Sequence, residues 1–306
     1  MVFHSYAKLN LYLEVLNKRK DGYHNIKTLF ERIDLSDKII LKPRPDKLIK
    51  IICRDSQVPK DNSNLCYRSA KLLQGSFNIA SGADIKIIKR IPVGAGLGGG
   101  SGNAAAVFLG LNKLWRLNLS RSKLGKLAKR IGCDIPFFIY NTPFARGEER
   151  GDRIKPLRAL KKVRLWHILV VPKIKVSTPL IYKKWDKYSG LTPPFFTSQI
   201  LKKNKKAGLT KPEYDVKILN LALRKNDLSL LGKALFNDLE RITVNLYPQV
   251  LRVKEELKDS GIKAILMSGS GPAVFGVVSS RKEAVALSKQ LKEEGESWQV
   301  FVTRTF

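Results

Sequence analysis

From Ser5 to Val15 apolar and polar side chains alternate, with Ala7, Leu9, Leu11, Leu13 and Val15 on one side and Tyr6, Lys8, Asn10, Tyr12 and Glu14 on the other. Successive side chains of a strand point to opposite faces, so this run predicts a strand with an apolar face and a polar one. Further strands are expected over 26–33, at Lys38-Ile39-Ile40-Leu41, at Ile49-Lys50-Ile51-Ile52 and over 83–89. Asp61-Asn62-Ser63-Asn64 supplies caps for a helix carrying Leu65, Ala70, Leu72 and Leu73. Helical spacing returns at Ala104, Val107, Phe108, Leu111, Leu114 and Trp115, and again at Leu124, Leu127, Ala128 and Ile131, behind Ser120 or Ser122 as the cap. A basic, Pro-containing link over 155–164 then marks a boundary. Beyond it Trp166 to Val171 reads as a short buried strand, 216–261 as helical, 264–267 and 273–278 as a strand pair, 281–294 as a helix and 298–303 as a closing strand. Residues 183–212, rich in Lys, Pro and Gly, read as a long loop. This mixture predicts an α+β chain of two lobes, 1–160 and 161–306.

Composition narrows the function classes. With 306 residues, 43% of them hydrophobic, the chain can bury a substantial core. It has no run of ~18 apolar residues, and its first residues lack the basic-then-apolar order of a signal peptide, so a cytoplasmic protein with no membrane partner is expected. Cysteines at 53, 66 and 133 and histidines at 4, 24 and 167 are too scattered for a disulfide framework or a zinc site. The formal charge of +31 arises from 57 Lys and Arg against 26 Asp and Glu. These are spread along the whole chain without a nucleic-acid motif, so the charge reads as a solvated surface that steers polyanionic substrates, and no specific nucleic-acid partner is expected. Oligomeric state is not legible.

Between the strand at 83–89 and the helix from about Ser101 lies Pro92-Val93-Gly94-Ala95-Gly96-Leu97-Gly98-Gly99-Gly100-Ser101-Gly102-Asn103, with six glycines from Gly94 to Gly102. A loop so poor in side chains lets backbone approach a ligand, and a helix opening out of it aims unpaired N–H groups at an anion. A tightly packed glycine turn is the other reading. Gly94-x-Gly96-x-x-Gly99 has the dinucleotide spacing, but Trp115-Arg116-Leu117 stands where an acidic residue is needed, and no Gly-Lys-Ser/Thr closes a P-loop. Further along, Asp134 stands among apolar residues in Gly132-Cys133-Asp134-Ile135-Pro136-Phe137-Phe138, where a helix cap and an acid/base are equally good local readings. Asp21-Gly22 is a turn that delivers Tyr23 and His24 to the start of a strand.

Pro92-x-x-x-Gly96-Leu97-Gly98-Gly99-Gly100-Ser101-x-Asn103-Ala104-Ala105 resembles the ATP loop of the galactokinase, homoserine kinase, mevalonate kinase and phosphomevalonate kinase superfamily. Ala7-Lys8-Leu9-Asn10-Leu11-x-Leu13 with Asp21-Gly22-Tyr23-His24 is similar to the signature of its branch in the non-mevalonate isoprenoid pathway. The resemblance extends to Gly132-x-Asp134-x-Pro136-x-Phe138 and to Ser268-Gly269-Ser270-Gly271-Pro272, the superfamily's third motif. It implies a two-lobe kinase with the site between the lobes, moving the γ-phosphoryl of ATP to the tertiary hydroxyl of a cytidine diphosphate-linked methylerythritol. Under it, Lys8 and Asp134 are catalytic, and Pro92, Gly94, Gly96, Leu97, Gly98, Gly99, Gly100, Ser101, Gly102 and Asn103 hold ATP. Asn10, Tyr23, His24, Phe30, Tyr182, Gly269 and Gly271 meet the substrate, with Tyr23 and Tyr182 as aromatics against the cytosine, and Ser101 is the candidate ligand for Mg²⁺. The chain departs from the pattern at Gly102, where a second serine is usual, and at Glu148-Glu149-Arg150 and Asp152, which lengthen a turn and replace a Glu. The alternatives are a mevalonate- or homoserine-type kinase, a basic nucleic-acid-binding protein and a dinucleotide oxidoreductase.

Overall fold

A computed structural model describes residues 1–188, 216–293 and 298–306. The alternating N-terminal run is strand β1 (Val2–Lys18), which turns at Asp21-Gly22 into the long β2 (His24–Arg44). With β3 (Ile49–Cys53), β4 (Gly82–Ile88), β5 (Phe144–Glu148) and β6 (Arg153–Pro156), they build the first sheet. The chain then opens a second sheet with β7 (Trp166–Val171) and returns to the first through β8 (Phe236–Asn237), parallel to Tyr12 and Leu13 of β1. It completes the second sheet with β9 (Ala264–Met267), β10 (Val274–Val278) and β11 (Gln299–Arg304), in the order β11-β7-β10-β9 with every pairing antiparallel. The described helices are α1 (Leu65–Ser76), α2 (Gly99–Leu114), α3 (Arg121–Ala128), α4 (Ile135–Tyr140), α5 (Thr178–Tyr188), α6 (Val216–Lys225), α7 (Leu228–Ala234), α8 (Glu240–Leu246), α9 (Pro248–Asp259) and α10 (Arg281–Glu293). Because β10 and β11 flank β7 and are joined through α10, the second lobe is a split βαβ unit. Of the stretch 183–212, residues 183–188 finish α5; those from 189 on lie outside the described residues.

Three cores follow from the layers. Leu73, Ile85, Phe108, Leu124 and Phe137 pack α1 to α4 on the first sheet, and Leu9, Leu11, Leu169 and Phe275 pack the two sheets together. Ile168, Val170, Val253 and Leu287 close the outer face of the second sheet with α9 and α10. A buried pair ties the sheets: His167 Nε2 lies 2.9 Å from Glu31 Oε1, with both side chains fully buried. The register of β1 against β2 shifts at three places, and the middle one breaks the expected alternation. Pairing passes from Asn10↔Phe30 to Tyr12↔Leu29, so Leu11 is an extra residue. Such a bulge exchanges the faces beyond it, and Tyr12, expected on the polar side, is buried with Leu9 and Leu11.

Candidate active site

The glycine-rich loop closes a pocket of about 500 Å³ against Val58, Asn64, Leu65 and Lys89. Gly98, at φ +68°, is the N-cap of α2 in the left-handed region that favours glycine. The first intrahelical bond runs from Gly102 N–H to Gly98 O at 2.8 Å, which leaves the amides of Gly99, Gly100 and Ser101 ahead of the hydrogen-bonded ladder. No acidic side chain occupies the first turn, so the positive end of the helix faces the pocket without a neutralising carboxylate. Asn103 also lines the pocket, buried, with its Oδ1 unpaired among the described residues. A buried acceptor without a partner calls for a ligand donor or a water. The loop's other wall is the turn 268–272: a Cβ on Gly96 would stand 2.3 Å from Ser268 O, so the two glycine loops meet backbone to backbone.

Lys8 sits beneath this junction. Its backbone N–H donates to Leu97 O at 2.9 Å, its Nζ donates to Asn10 Oδ1, and it lies 5.7 Å from the centroid of the Phe30 ring. Asn10 Nδ2 in turn donates to Thr28 Oγ1 at 2.8 Å. The ammonium is 3.7 Å from Asp134 Oδ2, with Lys8 5% and Asp134 33% exposed. Burial pushes the Lys8 ammonium below the ordinary lysine value, against the opposing pull of Asp134. Asp134 makes no capping hydrogen bond to α4 although it occupies the N-cap position, so its carboxylate is left for other work. Gly269 has φ +60°, in the left-handed region that favours glycine, and a Cβ there would stand 3.3 Å from Gly96 O. Asn237 fixes that turn by donating to Met267 O and Gly269 O at 2.8 and 2.7 Å.

A second group of side chains gathers around the start of β2. His24 is buried, stacks on Tyr182 at 5.1 Å and meets the edge of Trp185 at 5.5 Å. Its Nε2 lies 2.6 Å from Asp186 Oδ1, whose other oxygen accepts from Lys18 Nζ, also at 2.6 Å. Burial, and then the negative charge of Asp134, push the Tyr182 hydroxyl up. Tyr23 is 52% exposed and is not stacked on Tyr182; Arg150 lies over its ring, 5.1 Å from the centroid. Arg150 is pinned by Asp152, which is almost fully buried and accepts from its Nε and Nη2 at 3.2 and 2.6 Å. An aromatic platform, a stacked imidazole and nearby cations suit a flat base carrying a diphosphate.

Models of two domains, "GHMP kinases N terminal domain" and "GHMP kinases C terminal", match residues 64–142 and 219–297. A 4-diphosphocytidyl-2-C-methyl-D-erythritol kinase of Geobacillus sp. (strain WCH70) is 41% identical over 97% of this chain and 94% of its own length. The chain belongs to the 4-diphosphocytidyl-2-C-methyl-D-erythritol kinase family. A relative of the same name from Nostoc punctiforme is 37% identical over 98% of this chain and 94% of its own. A crystal structure of a 4-(cytidine 5'-diphospho)-2C-methyl-D-erythritol kinase superposes with a TM-score of 0.77 at 29% identity, covering 100% of both chains. A homoserine kinase from Cytophaga hutchinsonii shares the fold, with a TM-score of 0.68 at 22% identity over 98% of this chain and 93% of its own.

Two of the expected site residues have close packing partners. Gly102 donates its amide to Gly98 O within the helix, and a Cβ there would stand 2.7 Å from Tyr6 O, so it packs closely against β1. Phe30 is 1% exposed, packs on Phe137 and lies with its ring centroid 5.7 Å from Lys8 Nζ. Several partners escaped the sequence reading. Asp37, fully buried, pairs with Lys89 Nζ and accepts from the amides of Arg90 and Ile91 at 2.7 and 2.9 Å, which holds the strand end that leads into the loop. Ser268 Oγ accepts from Asn10 N–H at 3.2 Å, and Thr178 meets Ser270 Oγ at 2.6 Å. Asp186, Arg150 and Asp152 complete the set; only the departure at 148–152 could have pointed to the last two.

Proposed function

We propose that the chain transfers the γ-phosphoryl group of ATP to the 2-hydroxyl of 4-diphosphocytidyl-2-C-methyl-D-erythritol, a cytoplasmic step of the non-mevalonate isoprenoid pathway. The observation that carries this reading is the Lys8–Asp134 contact of 3.7 Å between the glycine-walled pocket and the His24–Tyr182 cluster. ATP binds with its phosphates at the amides of Gly99, Gly100 and Ser101, in residues 1–160; residues 161–306 contribute the turn at Gly269 and Gly271 and the Tyr182 helix. The hydroxyl oxygen forms a bond to the γ-phosphorus, the bond to the β–γ bridging oxygen breaks, and ADP leaves. Asp134 takes the hydroxyl proton, while Lys8 faces the charge that develops on the attacking oxygen. Asn10 holds Lys8 in place, and Tyr23 and His24 hold the cytosine.

Ser101 lines the glycine-walled pocket, and its hydroxyl is an oxygen donor of the kind Mg²⁺ takes beside phosphate oxygens and water. Ser101 would hold the ion. Bound there, Mg²⁺ would neutralise phosphate charge. The test is ADP release measured with the cytidine substrate, mevalonate and homoserine in parallel. Turnover of the cytidine substrate alone is expected; turnover of mevalonate or homoserine without it overturns the reading.

A further inference from the structure

His24 presents only one nitrogen to the protein. Its Nε2 faces the carboxylate of Asp186 at 2.6 Å, and among the described residues its Nδ1 has no hydrogen-bond partner. A carboxylate is an acceptor only, so the Nε2 that meets it carries the proton, and in the neutral ring Nδ1 then keeps a lone pair. Asp186 is itself held in place, because Lys18 Nζ takes its second oxygen at 2.6 Å and α5 carries it on the same helix as Tyr182. Stacking on Tyr182 at 25° and the Trp185 edge prevent the ring from turning freely.

We infer that Asp186 is a specificity-determining positioning residue: it fixes the His24 tautomer with Nδ1 as an acceptor, which selects a base bearing an exocyclic amine over one bearing a carbonyl. This rests on the proposed cytidine substrate. The cytosine amine donates to such a nitrogen, whereas the uracil carbonyl sets lone pair against lone pair. A site built around one hydrogen bond rejects the analogue that cannot make it far more strongly than shape alone does.

Asp186→Asn separates this role from packing, because it conserves size. Lys18 draws the amide oxygen to itself, the NH₂ turns to Nε2, and the proton moves to Nδ1. The measurement is kcat/KM for the cytidine substrate and for its uridine diphosphate-linked analogue, in the full-length wild type, in Asp186→Asn and in His24→Ala. In Asp186→Asn the cytosine preference is expected to fall by about ten- to hundredfold, with KM for ATP unchanged. Nitrogen-15 spectra of the ring nitrogens supply the second readout. In the wild type at mildly alkaline pH they are expected to show His24 protonated at Nε2 alone, and in the variant the proton shifts to Nδ1. A preference lost in His24→Ala but intact in Asp186→Asn overturns the inference and leaves the substrate reading standing, as does a wild-type His24 protonated at Nδ1. A preference intact in both variants overturns the role of His24 itself.

Discussion

Lys8 is gripped on every side, by Leu97 O through its backbone and by Asn10, Phe30 and Asp134 around its ammonium, whereas Tyr23 at the other end of the site stands half exposed with Arg150 against one face. The phosphate end is made largely of backbone, two glycine turns in contact and the first amides of α2. The base end is made of side chains drawn from a turn, a hairpin and a helix. The difference follows from what each end does. A group that takes a proton or faces a developing charge loses its effect when displaced by an ångström, so it is enclosed and over-determined. Stacking on a ring tolerates small shifts, so the platform can stay at the surface.

The largest expected loss lies at the enclosed end. Asp134→Asn keeps the shape and removes the proton acceptor, and kcat should fall by roughly 10² to 10⁴ with both KM values nearly unchanged. Asn is also as good a helix cap as Asp, and no capping hydrogen bond exists to be lost, so any fall in melting temperature reports the loss of the carboxylate facing the buried Lys8 ammonium. A fully active Asp134→Asn enzyme would remove the acid/base role.

Lys8 sharpens the same end through pH. Because burial lowers its folded value below the ordinary 10.5, the ammonium loses its proton earlier than a free lysine, and kcat should decline along an alkaline limb that begins below that pH. Lys8→Arg, whatever its residual rate, should move that limb upward, since guanidinium stays charged. An unmoved limb assigns the titration to another group. The stability sign runs the opposite way from activity. The unfolded chain binds more protons between the two Lys8 values, so the lysine costs stability below the folded value and the cost is relieved as pH rises from the folded value to the ordinary one. Lys8→Met should therefore lose about 10²-fold or more in kcat while melting no lower than the wild type at neutral pH.

How far these two ends were legible in the sequence differs for the same reason. Lys8 and Asn10 are two apart on a strand, and the glycine run precedes a helix, so local spacing alone places them. The bulge at Leu11 is not local: it is set by pairing with Phe30 and Leu29, and it buries Tyr12, which the alternation puts outside. Gly102 looks like its neighbours in the loop, and only the approach of Tyr6 O distinguishes it. Asp37 and Lys89 stand 52 positions apart with no pattern joining them. At the base end, Asp186 falls in a stretch whose Lys, Pro and Gly content reads as loop, yet α5 continues through it to Tyr188.

Tyr23 tests the open end. Tyr23→Ala should raise KM for the cytidine substrate by about ten- to hundredfold through lost stacking, leaving KM for ATP and kcat near their starting values. Equal losses for both substrates would mean that the ring supports the fold rather than the base.

The smallest effect is expected at Arg150, and it asks whether the platform is only a ring or a ring with a charge behind it. The guanidinium lies 5.1 Å from the Tyr23 centroid and is fixed by two bonds to Asp152 and one to Lys129 O at 3.3 Å. Fixed in this way, it occupies one face of Tyr23 and leaves the base the other. Arg150→Leu removes the cation but also strips a buried carboxylate of its main partner, with Lys129 Nζ 3.9 Å away as the remaining cation, so the variant confounds recognition with stability. The double change Arg150→Leu with Asp152→Asn removes that unpaired charge. In this pair, KM for the cytidine substrate should rise about two- to fivefold, the size of an exposed cation–π contact, and KM for ATP should hold. An unchanged KM would show that Arg150 serves the hairpin alone, and that the open end of the site recognises its base with Tyr23, His24 and Tyr182 and no help from charge.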